Sequence, residues 1–136
     1  MKNHEIEKLI ERAVEAMKNA YAPYSNFRVG AVVVAKDGSI FTGVNVENAS
    51  YGLTICAERA AIFKAVSEGV REFDTLVVVA DTDSPVSPCG ACRQVMAEFG
   101  NFRVILANIR GEYIETSVSE LLPLGFSGDK LKQGKG

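Results

Sequence analysis

Cys56, Cys89 and Cys92 are the three cysteines of this 136-residue chain, and its fold has to bring Cys56-Ala57-Glu58 against Pro88-Cys89-Gly90-Ala91-Cys92. An odd count argues against a closed disulfide framework, and a reducing compartment keeps such thiols free to ligate a metal. A lone C-x-x-C is a weak signal, because redox pairs, structural metal and chance all produce one. A third cysteine followed two residues on by a glutamate narrows the choice. Three thiolates hold a zinc ion, one Zn2+ per chain, with its tetrahedron one ligand short. A water in that open position has its pKa lowered from about 16 to roughly 7, so hydroxide is available at neutral pH.

The length fits one domain, 1–136, able to bury a core without disulfides. No segment approaches the roughly 18 uninterrupted apolar residues of a membrane span, and the N-terminus lacks the apolar core of a signal peptide. The expectation is a cytoplasmic protein with no membrane partner. The formal net charge is −2. The sparse Lys130, Lys132 and Lys135 make the nearest thing to a basic stretch, which is no electrostatic footprint for a phosphate backbone. Nucleic acid is therefore not the expected partner.

Helical spacing of Ile6, Leu9, Ile10, Ala13, Val14 and Met17 predicts an amphipathic first helix, with Pro23 beyond its end. Two strands, 27–35 and 40–46, flank the Asp37-Gly38 pair, a strong hairpin signal, and should run antiparallel. A helix is expected over 55–68, with Thr54 as its cap, Cys56 in its first turn and Gly69 as its stop. The near-continuous apolar run Thr75–Ala80 reads as a central strand buried on both faces. Ser87 is the expected cap of a further helix that begins at Pro88, where a missing amide hydrogen costs nothing. The i, i+3 spacing of Cys89 and Cys92 puts both thiols on one side of that helix. Strands 102–108 and 112–116 are joined by only Ile109-Arg110-Gly111, too short for a parallel crossover, so they pair antiparallel. Ser117-Val118-Ser119-Glu120 is a capping box opening a short helix. The stretch 128–136 is polar and expected to fray. The class is α/β with a mixed sheet.

Both cysteine segments open helices, whose N-terminal dipoles favour thiolates. Three thiolates on Zn2+ still sum to a net negative centre, which blunts its acidity, so a compensating cation is expected. Arg59 is the candidate, donating hydrogen bonds to cysteine sulfur; the bland alternative is a solvated helical arginine. Glu58 suits a general acid and base better than a fourth ligand, since i, i+2 residues diverge around a helix. It would take a proton from the zinc-bound water and pass it to the group under attack.

Zinc-dependent base deaminases carry H-x-E and then P-C-x-x-C, with the histidine replaceable by cysteine. Together with Tyr21-Ala22-Pro23-Tyr24-Ser25-Asn26-Phe27-Arg28-Val29-Gly30-Ala31, Asn45-Val46-Glu47-Asn48-Ala49-Ser50-Tyr51 and Cys56-Ala57-Glu58-Arg59, these motifs closely resemble the small homotetrameric cytidine deaminases with three cysteine ligands. The likeness runs from about residue 5 to Phe126. It implies a three-layer α-β-α fold with a mixed five-stranded sheet and helices on both faces. It also implies hydrolysis of cytidine or deoxycytidine to uridine or deoxyuridine plus ammonia, in pyrimidine salvage, with hydroxide on zinc attacking C4. The resemblance further assigns Asn45 and Glu47 to the ribose hydroxyls and Phe27 to the face of the pyrimidine. The Ala57 amide and the Ser87 carbonyl would meet the base. Phe126 would reach into a neighbouring subunit's site, and Tyr51 would lie at an interface. The bland reading of Phe27 is a core strand residue, and that of Asn45 a turn residue at a strand end.

Two rival readings remain. A structural zinc module needs four Cys or His ligands, and the single histidine, His4, is distant in sequence. A deaminase acting on another base is the second. Polynucleotide members place a helix between the fourth and fifth strands, which the short 109–111 link excludes, and blasticidin deaminases lack the Asn-Val-Glu-Asn motif as it stands here.

Overall fold

The computed structural model describes residues 3–133. One five-stranded sheet runs through it in the order β2-β1-β3-β4-β5, with β1 at Val29–Ala35, β2 at Ile40–Val44, β3 at Phe73–Ala80, β4 at Arg103–Asn108 and β5 at Tyr113–Ser117. β1 pairs antiparallel with β2 and with β3, β3 pairs parallel with β4, and β4 pairs antiparallel with β5. The apolar run holds the centre of the sheet, and Leu76, Val77, Val79 and Ala80 are wholly buried. Strand limits fall one or two residues inside the expected ranges at 27–28, 45–46 and 102, and the last strand shifts to 113–117.

α1, Asn3–Met17, covers one face of the sheet: Ile6, Leu9, Ile10 and Ala13 pack on Val32, Val77, Val79, Ile105 and Ala107. The other face carries α2, Ala57–Ser67, and α3, Gly90–Glu98, over Ala31, Val33, Leu76, Val78, Val104 and Leu106. Alternate residues of each strand thus feed two separate cores, which explains why the central strands read as continuous apolar runs. The layers are α-β-α. The short helix α4, Val118–Leu121, starts as the capping box requires, with Ser117 Oγ accepting from the Glu120 N–H at 3.3 Å. Within the polar stretch after Phe126, residues Gly128–Gln133 form a further short helix, α5; residues 134–136 lie outside the described part.

Gly43 on β2 sets how closely α2 lies. A Cβ there would sit 2.3 Å from the Ala61 nitrogen and 2.6 Å from the Ala57 carbonyl oxygen, distances that only a hydrogen permits. The first turn of α2 is thereby pressed onto the sheet, and that turn is where Cys56 and Glu58 reside.

Candidate metal centre

Both cysteine-bearing helices begin later than their sequences suggest. Thr54 and Ser87 do not cap them. The N-cap of α2 is Cys56 itself, with extended backbone at φ −75°, ψ 155°, and the N-cap of α3 is Cys89 at φ −68°, ψ 167°. Capping propensity misleads here because neither cysteine makes a side-chain capping bond. Each thiol is free to face the other helix end instead. Cys92 is fully buried one turn into α3.

The three sulfurs lie within 4.8 Å of one another, with Cys56 to Cys89 at 3.6 Å and Cys89 to Cys92 at 3.5 Å. Tetrahedral zinc with bonds of about 2.3 Å separates its sulfur ligands by roughly 3.8 Å, so the thiols are already close to ligating separation. Among the described residues, no carboxylate or imidazole joins this cluster. The donor set is three soft sulfurs at two converging helix N-termini, which fits zinc with a position left open.

Arg59 stands over the cluster, its Nη2 donating to Cys56 Sγ at 3.4 Å, while its buried Nε has no protein partner. The Cys56 thiol is pulled down to about 5, first by its hydrogen bond with Cys92 and further by Arg59. Cys92 is pushed up, first by that same bond and then by burial. Glu58, the second residue of α2, is only 4% exposed, and burial raises its carboxyl above the usual range. A carboxyl so placed can hold a proton as well as give one up.

Cys56, Glu58 and Cys89 border a cavity of about 220 Å³ whose lining also includes Phe27, Asn45, Ala57 and Ser87. Phe27 is 42% exposed, so it belongs to the cavity wall and not to the core. Asn45 is buried and doubly engaged: its Nδ2 donates to the Phe27 carbonyl at 2.7 Å and its Oδ1 accepts from the Val29 N–H at 2.9 Å. It shapes the entry to β1 as well as lining the cavity. Ala57 is the first residue of α2, so its N–H has no intrahelical acceptor.

Glu47 lies in an adjoining hollow with Tyr24, Ser25, Asn48 and Tyr51, which shares Thr54 with the cavity. Its carboxylate accepts from the Tyr24 and Ser25 N–H groups at 3.0 and 3.1 Å and from the Ser25 hydroxyl. The Ser25 hydroxyl is the leading cause of its lowered pKa. Tyr51 is 76% exposed and meets Tyr24 edge-on at 6.2 Å. Phe126 is not among the residues of either hollow. Sequence reasoning missed Ser25 as the Glu47 partner, although turn-forming Ser25-Asn26 before a strand was a usable sign; Asn26 has φ 59°. Val29, Thr54 and Val86, which also line the cavity, gave no sign in the sequence.

Residues 3–108 match the family described as the cytidine and deoxycytidylate deaminase zinc-binding region. The chain is 56% identical over 129 residues to a cytidine deaminase of Sporosarcina psychrophila, covering 93% of this chain and 95% of that one. It is 55% identical over 125 residues to a cytidine deaminase of Halalkalibacterium halodurans, covering 90% and 95%. The crystal structure of a cytidine deaminase from Burkholderia pseudomallei superimposes with a TM-score of 0.87 at 52% identity, covering 93% of this chain and all of that one.

Proposed function

The chain belongs to the cytidine and deoxycytidylate deaminase family, and from that membership we propose that it hydrolyses cytidine and deoxycytidine to uridine and deoxyuridine with release of ammonia, in pyrimidine salvage. The observation that carries this reading is the trio of sulfurs at ligating separation with the buried Glu58 at the edge of one cavity. Cys56, Cys89 and Cys92 hold one zinc ion. Zinc, when bound, supplies Lewis acidity toward water.

Glu58 does the proton work. It takes a proton from the attacking water and delivers it to N3 of the pyrimidine as the remaining hydroxide bonds to C4; it then takes the proton of that new hydroxyl and passes it to the amino group, whose bond to C4 breaks to release ammonia as the C4 carbonyl forms. Burial suits it to both halves of that cycle, because desolvation raises its pKa and makes the protonated form easier to reach than for an exposed carboxyl. The base packs on the face of Phe27, with the Ala57 N–H and the Ser87 carbonyl as its polar partners. Asn45 and Glu47 take the ribose hydroxyls. The fixed Glu47 carboxylate, already held by three donors of the Tyr24-Ser25 turn, needs no reorganisation to accept them.

Phe126 lies apart from its own subunit's cavity and is 56% exposed, as are Tyr51 and Leu53 to still larger extents. In a homotetramer Phe126 completes the site of a neighbour, and Tyr51 lies in the interface. No helix among the described residues is long and apolar enough to cross a membrane. The free thiols suit a reducing cytoplasm, and a net charge of −2 supports a small nucleoside over a nucleic acid as the partner.

Ammonia release from cytidine, deoxycytidine and blasticidin, followed side by side with the zinc-loaded protein, tests the activity. Turnover of the two nucleosides well above blasticidin is expected; absence of nucleoside turnover overturns the reading. Arg59 is open to a separate check. Replacing it with glutamine removes the charge beside Cys56 and should weaken zinc binding by about 10- to 100-fold, read by competition with a chromogenic chelator. Unaltered affinity would reduce Arg59 to a solvated arginine.

A further inference from the structure

The two residues that follow the buried Cys92 both reach for the C-terminal segment. Arg93 Nε donates to the Pro88 carbonyl at 2.9 Å and its Nη1 to the Leu121 carbonyl at 2.8 Å. Gln94 Nε2 donates to the Phe126 carbonyl at 2.8 Å. The segment from Leu122 to Phe126 is thus pinned at its start and at its end to the helix that carries two metal ligands. Between the pins it is tightly folded. A Cβ on Gly125 would come within 2.7 Å of Leu122 Cδ2 and 3.3 Å of the Leu122 carbonyl oxygen. Leu124 adopts φ 58°, a conformation that a branched side chain takes only when its surroundings impose it. Leu124 is also fully exposed, so its own side chain gains nothing from that conformation. What the loop achieves is the placement of Phe126, two residues on.

We propose that Gln94 is a positioning residue for substrate binding: through the Phe126 carbonyl it fixes the aromatic ring that completes a neighbouring subunit's site, with Arg93 anchoring the start of the same loop. The proposal rests on the reading of Phe126 given above. It makes α3 serve two sites at once, holding the metal of its own subunit through Cys89 and Cys92 and aiming an aromatic ring at the next. The carbonyl of Phe126 is a backbone group, so any substitution at Gln94 that removes the donor frees the ring while leaving its chemistry intact. An isosteric glutamate has no hydrogen to donate there.

The test is a double-mutant cycle on the zinc-loaded protein with cytidine as substrate. Gln94→Ala and Gln94→Glu should each raise KM about 3- to 10-fold, the worth of one hydrogen bond, with kcat little changed. Zinc content and Tm, measured on the same samples, should match the parent. Phe126→Ala should raise KM at least as much, and Gln94→Ala added to it should have no further effect, because residues that act through one group are not additive. An equal further rise on the Phe126→Ala background, or an unchanged KM in Gln94→Ala beside a raised one in Phe126→Ala, overturns this proposal alone. A parental KM in Phe126→Ala removes the reading of Phe126 and the proposal with it.

Discussion

Glu58→Gln lowers kcat for cytidine by about 10²- to 10⁴-fold, the range over which a positioned proton-transfer group contributes. Glutamine preserves the size and one acceptor oxygen of the side chain but can neither accept the water's proton nor return it. Since Glu58 stands beside Cys92 but outside the ligand cluster, zinc content should be that of the parent. KM should change little, because the loss falls on the transition state and not on ground-state binding. The measurement is the decay of cytidine absorbance near 280 nm under saturating substrate, beside elemental analysis of the same preparation. Equal rates for parent and variant would remove the proton-shuttle role. A fall in zinc content would instead make Glu58 part of the metal shell. The buried position of the carboxyl favours folding of the variant, since a neutral amide costs less to bury than a charge.

Cys92→Ala has the second large effect. Structural zinc sites with four protein ligands gain roughly 10–16 kcal/mol of apparent binding energy, about 3 kcal/mol per ligand, so losing one of the three thiolates here should lower affinity at least about a hundredfold. Turnover should disappear at ordinary zinc concentrations. Cys92 is the fully buried member of the trio, and among the described residues the ligand cluster contains no Asp, Glu or His. Bound metal stabilises the folded state by mass action. The parent should therefore lose Tm when stripped with a strong chelator, while Cys92→Ala should show the same Tm with and without it. A variant that retains one tightly held zinc ion and full activity would refute the three-thiolate centre.

Much of the fold was legible because it is encoded locally. The β-branched residues on either side of Asp37-Gly38, the unbroken apolar run at Thr75–Ala80 and the helical spacing of Ile6, Leu9, Ile10 and Ala13 are each local signals of strand or helix. The antiparallel β4–β5 pair followed from the shortness of its link alone. The helix starts were less legible. Thr54 and Ser87 have better capping chemistry than cysteine, yet the chain turns at Cys56 and Cys89, because there the extended cap conformation lets each thiol leave its helix and meet the others. Asn45 was ambiguous between turn residue and cavity residue, and it is engaged by the backbone at Phe27 and Val29 while lining the cavity. Gln94 gave no sign at all, because its partner is a backbone carbonyl, which every residue possesses and no pattern marks.

By itself the sequence determined the order of helices and strands as far as α4, the sulfur donor set and the presence of a carboxylate beside the first thiol, because periodicity, chain punctuation and ligand chemistry are properties of neighbouring residues; the polar 128–136 stretch, expected to fray, instead holds the helix α5. Tertiary structure alone decided the separation at which Cys56 meets Cys89 and Cys89 meets Cys92, that Glu58 is taken out of water, and that Phe126 does not line the cavity of its own chain. Those outcomes depend on how α2 seats on β2 across Gly43 and how α3 ties down the segment after α4. Such contacts join residues far apart in the chain, and their energies are fixed by packing distance, which no local pattern records.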